Sequence, residues 1–125
     1  MTTTKERGDS AERRAEAYLL CRGLTLVARN YKISWGQSKR AEIDLIMKDK
    51  ETYVFVEVRM RINENFGTSL ETINQHKQSL VKRAATCFLV EHHLYDKVDC
   101  RFDAVGINQN NEIIWIPDAF QVQYT

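Results

Sequence analysis

The chain has a single proline, Pro117, and no apolar run that approaches the ~20 residues of a membrane-spanning helix. Its opening, MTTTKERGDS, is polar and lacks the apolar core of a secretory signal, so a soluble cytosolic protein is expected. The three cysteines, Cys21, Cys87 and Cys100, are odd in number and share no CxxC spacing. That argues against a disulfide framework or a zinc knuckle and leaves buried free thiols as the plain expectation. Repeats, low-complexity tracts and linkers are absent, and 18 Lys and Arg nearly balance 17 Asp and Glu. The 43% apolar and 10% aromatic content belongs to a folded globule, and 125 residues suffice for one domain spanning the chain, not two.

Residues 1–8 read as a flexible lead-in. A helix is expected over 9–22, with Asp9 and Glu12 spaced as a capping box, Ala11, Ala15, Tyr18 and Leu19 on one face, and Gly23 as the stop. LTLVARNY alternates as a short strand, and SWGQSK reads as a polar loop. Two further strands follow at about 41–48 and 53–61, joined across DKET. Thr68 and Glu71 suggest a second capping box, opening a helix with Leu70, Ile73, Leu80, Val81, Ala84, Ala85, Phe88 and Leu89 inward and an end near His92. RFDAVGIN and EIIWI read as two more strands around a QNN turn, with PDAF closing the chain. The expected fold is an α/β sandwich on a mixed sheet, in the order αβββαββ. Adjacent His92 and His93 match no zinc template and suit a helix C-terminus instead.

The stretch AEIDLIMKDKETYVFVEVRMR places acids inside segments that otherwise read as core strand. Strand side chains alternate, so Glu42 and Asp44 share a face, as do Glu57, Arg59 and Arg61. Ile43, Leu45 and Met47 with Val54, Val56 and Val58 form the opposite, apolar faces. A hairpin with Lys50 and Glu51 at its tip sets Asp44 opposite Glu57 and Glu42 opposite Arg59, and sends both apolar sets to one side. Like charges opposed across a ladder repel. A divalent cation would convert that repulsion into binding, and hard oxygen ligands favour Mg²⁺ or Mn²⁺. The alternative is a solvated ion-pair face with Arg59, Arg61 or Arg40. Setting aside Glu12, Glu42, Asp44 and Glu57 from the 17 acids leaves 13 against 18 basic residues, an acidic pit in a basic surface.

EIDLI followed thirteen residues after the Asp by VFVEVR resembles the D…(D/E)xK signature of the PD-(D/E)XK nuclease superfamily. With GDSAERRAEAYL, GLTLVARNY, FGTSLETINQHKQSLVKRAATCFL, CRFDAVGI and IPDAF, nearly the whole chain resembles the YraN-like family of uncharacterised bacterial proteins, itself similar to archaeal Holliday-junction resolvases. The resemblance implies a three-layer, restriction-endonuclease-like fold and a Mg²⁺- or Mn²⁺-dependent endodeoxyribonuclease. Asp44 would be the central metal ligand, Glu57 the second and the Val58 carbonyl a third. Glu12 would reach the metal through water, and Glu42 completes the EID phrase. Arg59 stands where the signature has lysine. A guanidinium cannot act as a base, though it can hold a phosphate oxygen. Lys77 is the candidate replacement cation.

Arg40, Arg61, Lys82, Arg83, Arg13, Arg14 and Lys39 are candidates for gripping backbone phosphates, and Trp35 for stacking on a splayed base. A junction resolvase needs two active sites and hence a homodimer. The competing reading is a non-catalytic nucleic-acid-binding or partner-docking module that has kept the fold.

Overall fold

The structure, a computed structural model, describes residues 4–61, 73–108 and 110–121; the side chains of 4–7 and of Arg61 lie outside that description. Helix α1 (Thr4–Cys21) leads into a meander of β1 (Thr25–Trp35), β2 (Lys39–Asp49) and β3 (Thr52–Arg61). Helix α2 (Gln75–Glu91) then crosses over to β4 (Cys100–Asn108), which returns antiparallel as β5 (Ile113–Phe120). The sheet order is β1-β2-β3-β4-β5, and only the β3–β4 pair, the one joined through α2, runs parallel. This is the mixed αβββαββ sandwich the sequence pattern implied, with one helix on each face among the described residues. No helix among the described residues is long and apolar enough to cross a membrane.

Alternation in β3 divides the core. Val54 and Val56 join Leu45, Met47, Val105 and Ile107 beneath the Ala11, Ala15 and Leu19 stripe of α1. Those three helix residues recur every four positions, and the small alanines bring the helix close to the sheet. Phe55 points the other way, joining Ile43, Ile46 and Phe102 under Val81, Ala84, Ala85 and Phe88 of α2. Phe88 wedges into an aromatic cluster, with ring centroids 5.5 Å from Tyr31 and 6.2 Å from Phe55.

Several expectations need correcting. Helix α1 already runs from Thr4, so Asp9 and Glu12 are interior and make no capping box. The residues before Asp9 carry no apolar periodicity, which is why the start was hidden. Trp35 belongs to β1 rather than to a loop, and β5 continues through Pro117 to Phe120. Asn74 caps α2, its side chain accepting from the Lys77 N–H at 2.8 Å, so buried Ile73 precedes the helix. The Thr68–Glu71 box and Leu70 lie outside the described residues. Cys21 is exposed and the other two thiols half-buried; all three are free.

One buried polar group fixes the far side of the sheet. Asp103 is fully buried on β4 and accepts from the Trp115 indole N–H at 2.9 Å, the Asp118 N–H at 2.9 Å and Arg101 Nε at 3.0 Å. The β4–β5 register shifts just there, and the carboxylate satisfies a backbone donor that the irregularity would leave bare.

The β2–β3 hairpin turns as expected on Lys50 and Glu51, closing on the Asp49–Thr52 pair. Lys50 sits at φ 56°, a left-handed conformation that costs a residue with a Cβ roughly 1–2 kcal/mol. Lys50→Gly is therefore expected to raise stability by about 0.5–1 kcal/mol after glycine's added entropy cost, measured by urea unfolding. A loss of stability would mean that the lysine side chain contributes more than its backbone conformation costs.

Candidate functional site

The β2–β3 register matches expectation, with Leu45 opposite Val56, Ile46 opposite Phe55 and Met47 opposite Val54. Among the described residues, however, the ladder stops at Leu45–Val56, one pair short of Asp44 and Glu57. Beyond it the Val58 N–H donates to the Asp44 carboxylate Oδ2 at 2.8 Å, a side chain standing in for a backbone acceptor. Asp44 and Glu57 thus edge an opening between two strands rather than facing each other across a closed ladder.

The same point interrupts the other side of β2. Arg29 pairs with Leu45 and Tyr31 with Ile43, while Asn30, between them, adopts φ 50°. Asparagine tolerates this left-handed conformation better than most residues. The irregularity resets the alternation: Ile43 packs in the α2-side core, whereas Leu45 and Met47 pack on the α1 side. The expected single apolar face of Ile43, Leu45 and Met47 is therefore split. Asn30 turns its amide toward α1, donating to Glu12 Oε1 at 2.7 Å and to Glu42 Oε1 at 3.1 Å. Sequence reasoning passed over Asn30; its signal was a residue disfavoured in strands at the centre of an alternating run.

Five acids and two lysines meet at this opening. Asp44 lines a cleft of about 500 Å³ with Asp9, Glu12, Asn30, Lys32 and Glu42. Glu57, on β3, has a side chain only 7% exposed, and its Oε1 lies 3.4 Å from Lys77 Nζ on α2. Its Oε2 is buried with no hydrogen-bond partner. An unpartnered buried carboxylate oxygen is costly, and among the described residues Glu57 is the acid that has one. Arg59, half-buried on the Glu57 side, favours the ionised Glu57 through its charge, and its Nε is likewise unpartnered.

Burial is the main force on both carboxyls. It pushes Asp44 up to about 8, with the charge of Glu57 adding to the rise and the Val58 N–H opposing it. Burial also raises Glu57, against the pull of Lys77. Glu12 is raised by burial and by Glu42, while the Asn30 amide works the other way. In metal-free protein the Asp44–Glu57 pair holds a proton at a pH where free carboxylates have lost theirs.

The candidate ligands do not form one closed shell. Among the described residues, no three His, Cys, Asp or Glu side chains converge tightly enough to hold a metal ion by themselves. Asp44 and Glu57 form the central pair; Glu12 and Glu42 are engaged by Asn30 on the α1 side. This donor set still fits a hard divalent ion: two carboxylates, one with a bare oxygen, plus the Val58 carbonyl that the resemblance implied, with water for the rest.

The expected phosphate contacts fare unevenly. Arg40 and Lys77 line a groove of about 300 Å³ on the α2 side, together with Lys32, Ala41, Glu42 and Leu80. Arg13 instead lies 3.7 Å from Glu16, which also takes a bidentate grip from Arg29 at 2.6 and 2.8 Å. Arg14 reaches the Asn111 side chain. Arg83 lies 3.9 Å over the Trp35 ring, so one face of that indole is already covered. Lys82 is half-buried on α2, and the side chain of Arg61 is outside the described residues.

The αβββαββ sandwich is the fold that the nuclease-like resemblance implied. Comparison with known proteins agrees on the family. Residues 11–107 match UPF0102, an uncharacterised protein family, and the chain belongs to it. It is 48% identical to a UPF0102 protein of Nitrosospira multiformis over 98% of this chain and 99% of that one. It is 44% identical to one from Nitrosomonas eutropha, over 96% and 97%, and 39% identical to one from Coxiella burnetii, over 97% of each.

A raised carboxyl pKa has a defined sign. The folded state keeps a proton that the unfolded chain has released, so metal-free stability falls as pH climbs from about 4 to about 8. Asp44→Asn retains the acceptor for Val58 N–H and removes the charge. It is expected to match wild type near pH 4 and to exceed it by about 1 kcal/mol or more above pH 8, in urea titrations with EDTA. Parallel pH profiles for the two proteins would show that the pair is not frustrated.

Proposed function

We propose that this chain is a metal-dependent DNA endonuclease, hydrolysing phosphodiester bonds with Mg²⁺ or Mn²⁺, and that branched DNA is its substrate class. The observation that carries the reading is the buried, bare Oε2 of Glu57 beside Asp44, at the point where the β2–β3 ladder opens. Neighbouring anions whose protonation is favoured by burial bind a divalent ion in place of the proton. Asp44 and Glu57 are the residues that would hold it. When bound, such an ion supplies Lewis acidity at the scissile phosphate and generates the nucleophile at neutral pH.

The remaining groups have roles set by their chemistry. Lys77 neutralises one oxygen of Glu57 and faces the groove, so its ammonium can meet an incoming phosphate oxygen. Arg59, at the signature lysine position, supplies positive charge but no base. Val58 orients Asp44 through its N–H. Asn30 donates to both Glu12 and Glu42 and so offsets part of their repulsion. Sequence-independent cleavage suits these contacts, none of which presents a pattern matched to a base edge.

A second reading has its own support. Arg59 replaces the lysine, and Lys77 already pairs with Glu57. Both fit a nucleic-acid-binding module that has kept the fold without the reaction.

Metal affinity and catalysis separate the two. Mn²⁺ at about 100 times its Kd is expected to stabilise wild type by about 2.7 kcal/mol in thermal melts, and Asp44→Ala to abolish the gain. Absence of any Mn²⁺ effect would remove the metal site. With Mn²⁺, wild type is expected to nick plasmid and four-way-junction DNA, and Glu57→Ala to lose at least about 100-fold in rate. Equal nicking by both would place the activity elsewhere; Mn²⁺ binding without nicking would favour the module.

A further inference from the structure

The opening has two mouths of different charge. On the α1 side the cleft is lined by Asp9, Glu12, Glu42 and Asp44, with Lys32 the sole cationic lining residue among the described residues. On the α2 side the groove is lined by Lys32, Arg40 and Lys77, with Glu42 the sole acid among the described residues and Ala41 and Leu80 as an apolar floor. A polyanion is repelled by the first and drawn to the second.

Lys32 belongs to both. It lies directly opposite Glu42 on the β1–β2 ladder, yet the two form no ion pair. Its side chain is exposed, as is that of Arg40, and neither has a hydrogen bond or ion pair among the described residues. Several cations elsewhere are committed, Arg29 to Glu16, Arg101 to Asp49 and Asp103, and Arg22 to Tyr18. Cations from three separate elements, β1, β2 and α2, thus converge on one groove while keeping donors to spare.

We infer that the nucleic-acid backbone crosses the protein on the α2 side, held by Lys32 and Arg40 as phosphate-gripping residues that lead it to Lys77 and the acid pair. Lys32 positions the substrate and takes no part in the chemistry. The inference rests on the nuclease reading for what lies at the end of the groove; the direction of approach follows from the charge asymmetry. The apolar floor suits the deoxyribose face of a backbone whose phosphates are caught at the rim.

Fluorescence anisotropy tests it, with a labelled duplex and a labelled four-way junction, in EDTA and again in Ca²⁺. Each phosphate contact contributes about 0.9 to the slope of log K against log salt. Lys32→Gln and Arg40→Gln are each expected to flatten the slope by about that amount and to weaken binding several-fold on both DNAs. Arg22→Gln, on the far end of α1, is expected to leave slope and affinity unchanged. Wild-type slopes in both groove variants would overturn this approach path and leave the nuclease reading standing. So would equal flattening in Arg22→Gln, which would make the attraction diffuse. If wild type binds neither DNA in either condition, the nuclease reading falls and this inference with it.

Discussion

Everything at the functional end follows from where two neighbouring strands part company. Up to Leu45 and Val56, β2 and β3 are zipped by backbone hydrogen bonds and sealed by core on both faces. The next residues on each strand are acids. Continued pairing would press two carboxylates together inside the sheet, where poor screening makes like charges expensive. The strands open instead, and the Asp44 side chain takes over the Val58 N–H that separation would have stranded. Each strand then keeps only its outer neighbour, β1 for β2 and β4 for β3. The opening keeps the Val58 N–H satisfied while leaving the Glu57 Oε2 bare.

Both helices are tied to that opening, from opposite faces. Glu12 on α1 and Lys77 on α2 differ in sign: Glu12 shares the Asn30 amide with Glu42, and Lys77 takes one oxygen of Glu57. The sheet separates an anionic side from a cationic one, and the acid pair sits at the boundary. In the proposed reaction a phosphodiester and a divalent ion carry opposite charges, and this division would give each a separate way in. Asn30 is the pivot. Its left-handed backbone changes which face Ile43 and Leu45 occupy, and its side chain joins α1 to β2.

Much of this was legible from alternation alone. The apolar runs around Ile43–Met47 and Val54–Val58 gave strands, and only one hairpin register kept them together; the Leu45–Val56 and Met47–Val54 pairs have it. The helix α2 stripe of Val81, Ala84, Ala85, Phe88 and Leu89 was equally plain, because its burial follows the 3.6-residue period. What failed to show was any departure from period. A strict two-residue repeat cannot foresee an asparagine at positive φ, so Ile43 was put on the wrong side. The α1 start was concealed because a solvated first turn has no hydrophobic signature. The α2-side groove brings together Lys32, Arg40 and Lys77, which no local pattern connects, so Lys32 passed unnoticed. Alternation and register singled out Asp44 and Glu57; the resemblance implied their roles and brought in Lys77, which the crossover helix carries to Glu57.

The Asp103 network has a consequence for how the molecule meets others. Strand β5 is an outer strand, the kind of edge that recruits stray chains by hydrogen bonding. Here Pro117 offers no amide hydrogen, and the adjoining Asp118 N–H is turned inward to a buried carboxylate. Two successive positions are thereby closed to a docking strand, so the sheet carries its own barrier to lateral growth on that flank.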